Sequence, residues 1–267
     1  MPDAVTQETR IAVEERGHVL LIGINRPNKL NAFDKQMFDE ISLAFAKLED
    51  DDNLRCAVVY ANGRAFTAGL DLANVAPLDI NGELDMPVDG VDPWAIFASG
   101  RTRTKPAVVA THGKCFTIGI ELILALDVCV ASEDATFAQI EVQRGIFPFC
   151  GATIRFPQIA GWGNAMRWIL TGDEFDAKEA LRIGLVQEIV EAGKQLERAI
   201  EIAERIAAQA PFGVRATIAS ARTAQNEGSR AAAEKLLPEV VKIFATEDAN
   251  EGTQSFIERR KAVFKGR

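Results

Sequence analysis

Four short apolar runs constrain this chain most: HVLLIGIN (18–25), CAVVYA (56–61), PAVVAT (106–111) and DVCVA (127–131). Each is rich in Val, Ile and Leu, is bounded by polar or turn residues, and is too short for a buried helix, so each reads as a buried strand. Their nearly unbroken apolar character predicts burial on both faces, as in a parallel sheet covered by helices. Between the first two runs, Asp34 can cap a helix in which Met37, Phe38, Ile41, Phe45 and Leu48 share one face. Strand, helix and strand therefore follow one another within the first part of the chain, which points to the α/β class.

Further along, residues 72–105 hold Pro77, Pro87 and Pro93 among acidic residues and Gly. They read as a long surface loop with a short helix near 94–101, and as a candidate lid. An almost wholly apolar helix is expected over 119–126. From Ala177 onward the periodicity is mostly helical, over 177–183, 195–210, 212–226, 230–245 and 248–265. This divides the chain into a core domain, 1–200, and a helical C-terminal region, 201–267.

With 267 residues, 48% of them hydrophobic, the chain can bury a sizeable core. Its net charge of −8 argues against general nucleic-acid binding, which relies on neutralising phosphates. The most apolar stretch, 118–131, carries Glu121 and Asp127, so no membrane span is expected. The N-terminus shows no signal or transit pattern. Cys56, Cys115, Cys129 and Cys150 form no CxxC pair and read as reduced thiols of a cytoplasmic protein. With only His18 and His112, no metal site is expected. The GxSxG elbow, HExxH and Walker loop are all missing.

Two strand-to-helix turns and two glutamates remain. The turns are GRAFTAGLDL (63–72) and HGKCFTIGIEL (112–122). Each presents backbone N–H groups at the end of a buried strand, and the second opens a helix, so side by side they can hold an oxyanion. Glu121 and Glu141 lie in apolar sequence, where desolvation raises a carboxyl pKa and proximity drives two such values apart, as acid–base chemistry requires. A half-exposed or helix-capping glutamate is the plainer reading, and the residues alone leave both open.

The chain resembles the crotonase (enoyl-CoA hydratase/isomerase) superfamily, and enoyl-CoA hydratases within it. The resemblance is carried by Asn25-Arg26-Pro27 with Leu30-Asn31-Ala32, by FTAGLD (66–71), by Lys105-Pro106 through GIEL (119–122), and by Asp127. FAQIE (137–141), LTG (170–172) and SFIERRK (255–261) continue it in the right order along nearly the whole chain. It implies a spiral of ββα units with a C-terminal helical trimerisation region, in a homotrimer or a hexamer made of two trimers. It implies an acyl-CoA substrate, so that CoA is part of the substrate and no separate cofactor is needed. Carried over by position, Leu70 and Ile118 would supply the oxyanion N–H groups, Glu121 would be the base on water, and Glu141 would deliver a proton to the α-carbon. Lys29, Ala68, Asp71, Phe256 and Arg259 would contact CoA, the last two reaching a neighbouring subunit's ligand.

Three departures stand out. Ile118 replaces the glycine usual in hydratases, adding β-branched bulk near the thioester. Phe149 and Cys150 stand where small residues are common and would reshape the acyl pocket; simple core packing by Phe147 and Phe149 is the plainer reading. The implied activity is hydration of a 2-enoyl-CoA. A double-bond isomerase, another acyl-CoA enzyme of the superfamily, and a catalytically weak acyl-CoA-binding protein are the alternatives.

Overall fold

The apolar runs assemble into one parallel sheet whose strands alternate with those of a second, smaller sheet. The computed structural model describes residues 9–74, 87–96 and 101–267. In chain order come β1 (Ile11–Arg16), β2 (Val19–Ile24), α1 (Lys35–Asp50), β3 (Cys56–Ala61), β4 (Ala65–Thr67), β5 (Val91–Asp92), β6 (Arg101–Thr102), β7 (Ala107–Thr111) and β8 (Lys114–Phe116). Then follow α2 (Ile118–Ala125), β9 (Val128–Ser132), β10 (Thr136–Ala138), α3 (Ala152–Ala160), α4 (Trp162–Thr171), β11 (Phe175–Asp176), α5 (Ala177–Arg182) and β12 (Glu188–Val190). The chain ends in α6 (Gln195–Ala207), α7 (Pro211–Glu227), α8 (Ser229–Phe244) and α9 (Glu247–Glu258).

The larger sheet has the order β1-β2-β3-β7-β9-β12, and the smaller β11-β10-β8-β4. Among the described residues, only β1 and β11 run antiparallel to their neighbours in these two sheets. The pairs β3–β4, β7–β8 and β9–β10 each step from the large sheet to the small one. The path is a spiral of ββα character, and the α/β class expected from the sequence is observed.

The central strands are buried on both faces, as their unbroken apolar sequence requires. One face of the large sheet packs on the main core with α1, whose Met37, Phe38, Ile41, Phe45 and Leu48 are all buried. Asp34 caps α1, accepting from the Met37 N–H at 3.2 Å. The opposite face, through Val19, Leu21, Val58, Val108 and Val130, receives Ala199, Ile200, Ala203 and Ala207 of α6. The helix that spans residue 200 is thus packed on the sheet.

Two expectations change. The described part of 72–105 is only in part a surface loop: residues 72–74, 88–89 and 101–102 are exposed, whereas Val91, Asp92 and Trp94 are buried, and Trp94 packs edge-on against Phe33 and tilted against Phe38. Residues 94–96 are not helical, while 75–86 and 97–100 lie outside the described residues. The last helix stops at Glu258, well short of residue 265. Arg259 turns into the left-handed region, and the chain folds back so that Asp248 accepts from the Lys265 N–H at 2.7 Å and the Gly266 N–H at 2.8 Å.

Asn31 ties the N-terminal turn to β4. It is fully buried, accepts from the Arg26 N–H at 2.7 Å, and donates to the carbonyls of Asn62 and Ala65, each at 2.8 Å. Replacing it by alanine leaves those buried backbone groups without partners. Asn31→Ala is expected to lower stability by about 2–4 kcal/mol in urea unfolding; a loss within measurement error would show that the three bonds carry little weight.

Candidate active site

Parallel pairing of β4 with β8, with Ala65 opposite Lys114 and Thr67 opposite Cys115, makes the chain leave the small sheet twice at neighbouring points. After β4, the Ala68 N–H donates to the Leu30 carbonyl at 2.9 Å, and the Phe33 N–H to the Gly69 carbonyl at 2.8 Å. The Gly69 N–H donates to Thr67 Oγ1 at 3.1 Å, and the Asp71 N–H to the Phe33 carbonyl at 2.8 Å. These bonds pass over Leu70. After β8, the Thr117 N–H donates to the Ala138 carbonyl at 2.9 Å and α2 begins at Ile118, whose N–H is one of the donors a helix start leaves free. Among the described residues, neither the Leu70 nor the Ile118 N–H has an acceptor. The Ile118 side chain is buried in the main core, and its carbonyl accepts from Trp94 Nε1 at 3.3 Å.

Glu121 sits one helical turn beyond Ile118, on the buried first turn of α2. It is 2% exposed, and its Oε1 accepts from the Cys150 N–H at 2.8 Å and the Ala152 N–H at 3.1 Å, at the start of α3. Burial pushes its pKa up to about 7, against the pull of those two N–H groups and of Arg155. Glu141 begins the single 3-10 turn after β10 and is 5% exposed; its Oε2 has no partner among the described residues. Burial pushes it up to about 8, with the Glu121 charge adding to the rise and its own N–H opposing it. The site thus joins two interacting buried carboxyls, both raised toward neutrality by burial, to the free N–H donors of two touching turns.

The other residues singled out from the sequence occupy varied settings. Ala68 and Asp71 flank Leu70; the Asp71 carboxylate is held by Arg26 at 2.8 Å and Asn74 at 2.9 Å, and these bonds lower its pKa. Lys29 is exposed and lines a cleft with Arg10, Arg26 and Asn28. Cys150 is buried and serves Glu121 through its backbone, while Phe149 is half-buried against the main core. Phe147, in contrast, is largely exposed, so core packing does not explain it. Phe256 and Arg259 are exposed at the end of α9, and no described contact ties them to the glutamates. Sequence reasoning missed Trp94, hidden in a Pro-rich acidic stretch, and Arg155, which donates to the Ala95 carbonyl at 3.2 Å and lowers the Glu121 pKa.

The raised carboxyl pKa values have a consequence independent of catalysis. Burial makes the folded chain hold these protons more tightly than the unfolded chain, so each carboxyl weakens the fold as pH rises through about 7 and about 8. Glu141→Gln removes the second penalty. Its Tm should exceed that of the unsubstituted protein at pH ~9 and converge with it at pH ~5; a Tm difference independent of pH would contradict the assignment.

Comparison with known proteins places the chain in a family. The family model for enoyl-CoA hydratase/isomerase matches residues 14–267. A probable enoyl-CoA hydratase of Rhizobium meliloti is 35% identical over 261 residues, covering 96% of this chain and 98% of that protein. A carnitinyl-CoA dehydratase of Proteus mirabilis is 34% identical over 257 residues, covering 94% of this chain and 97% of its own length. The crystal structure of a probable enoyl-CoA hydratase/isomerase from Mycobacterium abscessus superposes with a TM-score of 0.92 at 55% identity, covering 97% of this chain and 99% of that one. An enoyl-CoA hydratase structure from Mycobacterium tuberculosis gives 0.87 at 31% identity, covering 97% and 100%. With the spiral fold, the paired turns and the buried glutamates in view, the chain belongs to the enoyl-CoA hydratase/isomerase family and is an enzyme of that family.

Proposed function

We propose that the protein hydrates the 2,3 double bond of a 2-enoyl-CoA thioester. The observation that carries this reading is the pair of buried carboxyls with staggered pKa values, about 7 for Glu121 and about 8 for Glu141, beside two unpaired N–H groups. Near neutral pH an ionised Glu121 takes a proton from water as its oxygen bonds the β-carbon. The π electrons move toward the thioester oxygen, where the Leu70 and Ile118 N–H groups stabilise the growing charge. A protonated Glu141 then gives its proton to the α-carbon. Glu121 ends protonated and Glu141 ionised, and exchange with solvent resets both. An isomerase needs one group to shuttle a proton; a pair of carboxyls, one to take a proton from water and one to give a proton to the α-carbon, favours water addition.

Around this centre, Phe149 and Cys150 would shape the acyl pocket, and Lys29, Ala68 and Asp71 the CoA entrance, with Asp71 acting through Arg26. Phe256 and Arg259 would reach a neighbouring subunit's CoA in a homotrimer or a pair of trimers. Support comes from the exposed apolar residues Leu237, Val241, Phe244, Phe256 and Ile257 on α8 and α9, a grouping that association would cover.

The test follows the loss of conjugated thioester absorbance from crotonyl-CoA. The unsubstituted protein should turn over, and Glu121→Gln and Glu141→Gln should each lower kcat by at least about a hundredfold. Its kcat/KM should rise with pH through about 7, as Glu121 ionises, and fall through about 8, as Glu141 loses its proton. An inert protein that still binds CoA, or variants as fast as the parent, would overturn the reading. Light scattering after gel filtration should give a trimer or hexamer mass, and a monomer would remove the shared-site part of the proposal.

A further inference from the structure

The two turns carry the same short pattern, Phe66-Thr67-Ala68-Gly69-Leu70 and Phe116-Thr117-Ile118-Gly119-Ile120. Each threonine packs on the other turn's glycine. A side chain on Gly119 would place its Cβ 2.6 Å from Thr67 Cγ2, and one on Gly69 would overlap Thr117 Oγ1. We propose that Thr67 and Thr117 form a reciprocal threonine–glycine lock that sets the spacing and aim of the Leu70 and Ile118 N–H groups.

The two halves of the lock are built differently. Thr67 is anchored within its own turn, donating to the Asn31 carbonyl at 2.7 Å and accepting from the Gly69 N–H at 3.1 Å, which leaves its methyl for Gly119. Thr117 is held under strain. Its backbone lies at φ 49°, ψ −112°, a conformation costly for a β-branched residue, and its buried hydroxyl finds no partner among the described residues. Both unfavourable features fall on the residue just before the Ile118 N–H. Such strain persists where the surroundings over-determine it, and the fit of Thr117 against Gly69, itself at φ 108°, is what does so here. Sliding one turn along the other would drive a threonine into backbone. Both threonines are positioning residues, acting on the substrate only through the N–H groups they aim.

The inference rests on the hydratase reading, and the experiment separates the two. Gly119 is helical, so Gly119→Ala suits the backbone but drives a methyl into Thr67 Cγ2. Thr67→Ser removes that Cγ2 and keeps the hydroxyl bonds. Gly119→Ala should lower kcat for crotonyl-CoA by about tenfold or more with little change in KM. It should also lose the red shift that a bound 2,4-dienoyl-CoA chromophore shows when donors polarise its carbonyl. The Gly119→Ala/Thr67→Ser pair should recover most of both signals, with residual crowding from Cys115 Sγ, 3.0 Å from the added Cβ. Thr117→Gly, which relaxes the backbone, should nonetheless be slow, while Thr117→Val, which keeps the shape, should stay close to the parent. Circular dichroism identifies a misfolded Gly119→Ala, in which case Thr117→Gly and Thr117→Val decide. Parent-like kcat and red shift in Gly119→Ala and Thr117→Gly would overturn the lock alone. An unsubstituted protein with neither turnover nor red shift would overturn the hydratase reading and the lock with it.

Discussion

Parallel pairing of β4 with β8 brings two chain reversals into contact, and the candidate chemistry hangs from that contact. A backbone N–H left without an acceptor is costly in a buried setting, and nearly all such groups in folded chains find partners. On the first turn, among Ala68 to Asp71, the Leu70 N–H alone lacks an acceptor among the described residues, and on the adjoining turn the start of α2 leaves the Ile118 N–H free together with those of Gly119 and Ile120. Free donors on two touching turns suit the proposed reception of an oxygen that gains negative charge. The surroundings keep them in place: Asn31 stitches the first turn to the N-terminal segment, and Trp94 holds the Ile118 carbonyl from the far side.

The carboxyls depend on the same scaffold. Glu121 rides on the helix that the second turn opens, and it spends one oxygen on the start of α3. Those N–H groups favour its ionised form and partly offset burial, which leaves it near neutrality rather than far above. Glu141 is raised by burial and by the Glu121 charge, with its own N–H opposing the rise, and its Oε2 has no partner among the described residues. Two identical side chains thus sit in different electrostatic settings, one facing the N–H groups at the start of α3 and the other facing the charge of its partner.

Much of this was legible in the sequence. The central strands announced themselves through unbroken Val-rich runs, while the apolar neighbours of the glutamates left burial as one of two open readings, which 2% and 5% exposure decides. Other features depended on partners distant along the chain. Trp94 lies in a stretch whose prolines and acids read as surface, yet its ring is buried against Phe33 and Phe38, which no local pattern reveals. The left-handed turn at Arg259 that ends α9 follows from the fold-back onto Asp248 and runs against the local helical pattern. The strain at Thr117 was illegible for the opposite reason: a β-branched residue argues locally against the backbone it adopts, and only the glycine across the turn makes room for it. The bulk of Ile118, conspicuous in the sequence, is taken up by the core.

The central claim is that one thioester oxygen is received by the Leu70 and Ile118 N–H groups with the two glutamates beside it. The most direct measurement is a crystal structure of the protein with a saturated acyl-CoA, which binds as the substrate does but cannot be hydrated. The account predicts the thioester oxygen within about 2.7–3.1 Å of both nitrogens, and the acyl β-carbon on the side of Glu121 and Glu141. A thioester oxygen facing solvent, or held by any other pair of donors, would contradict it.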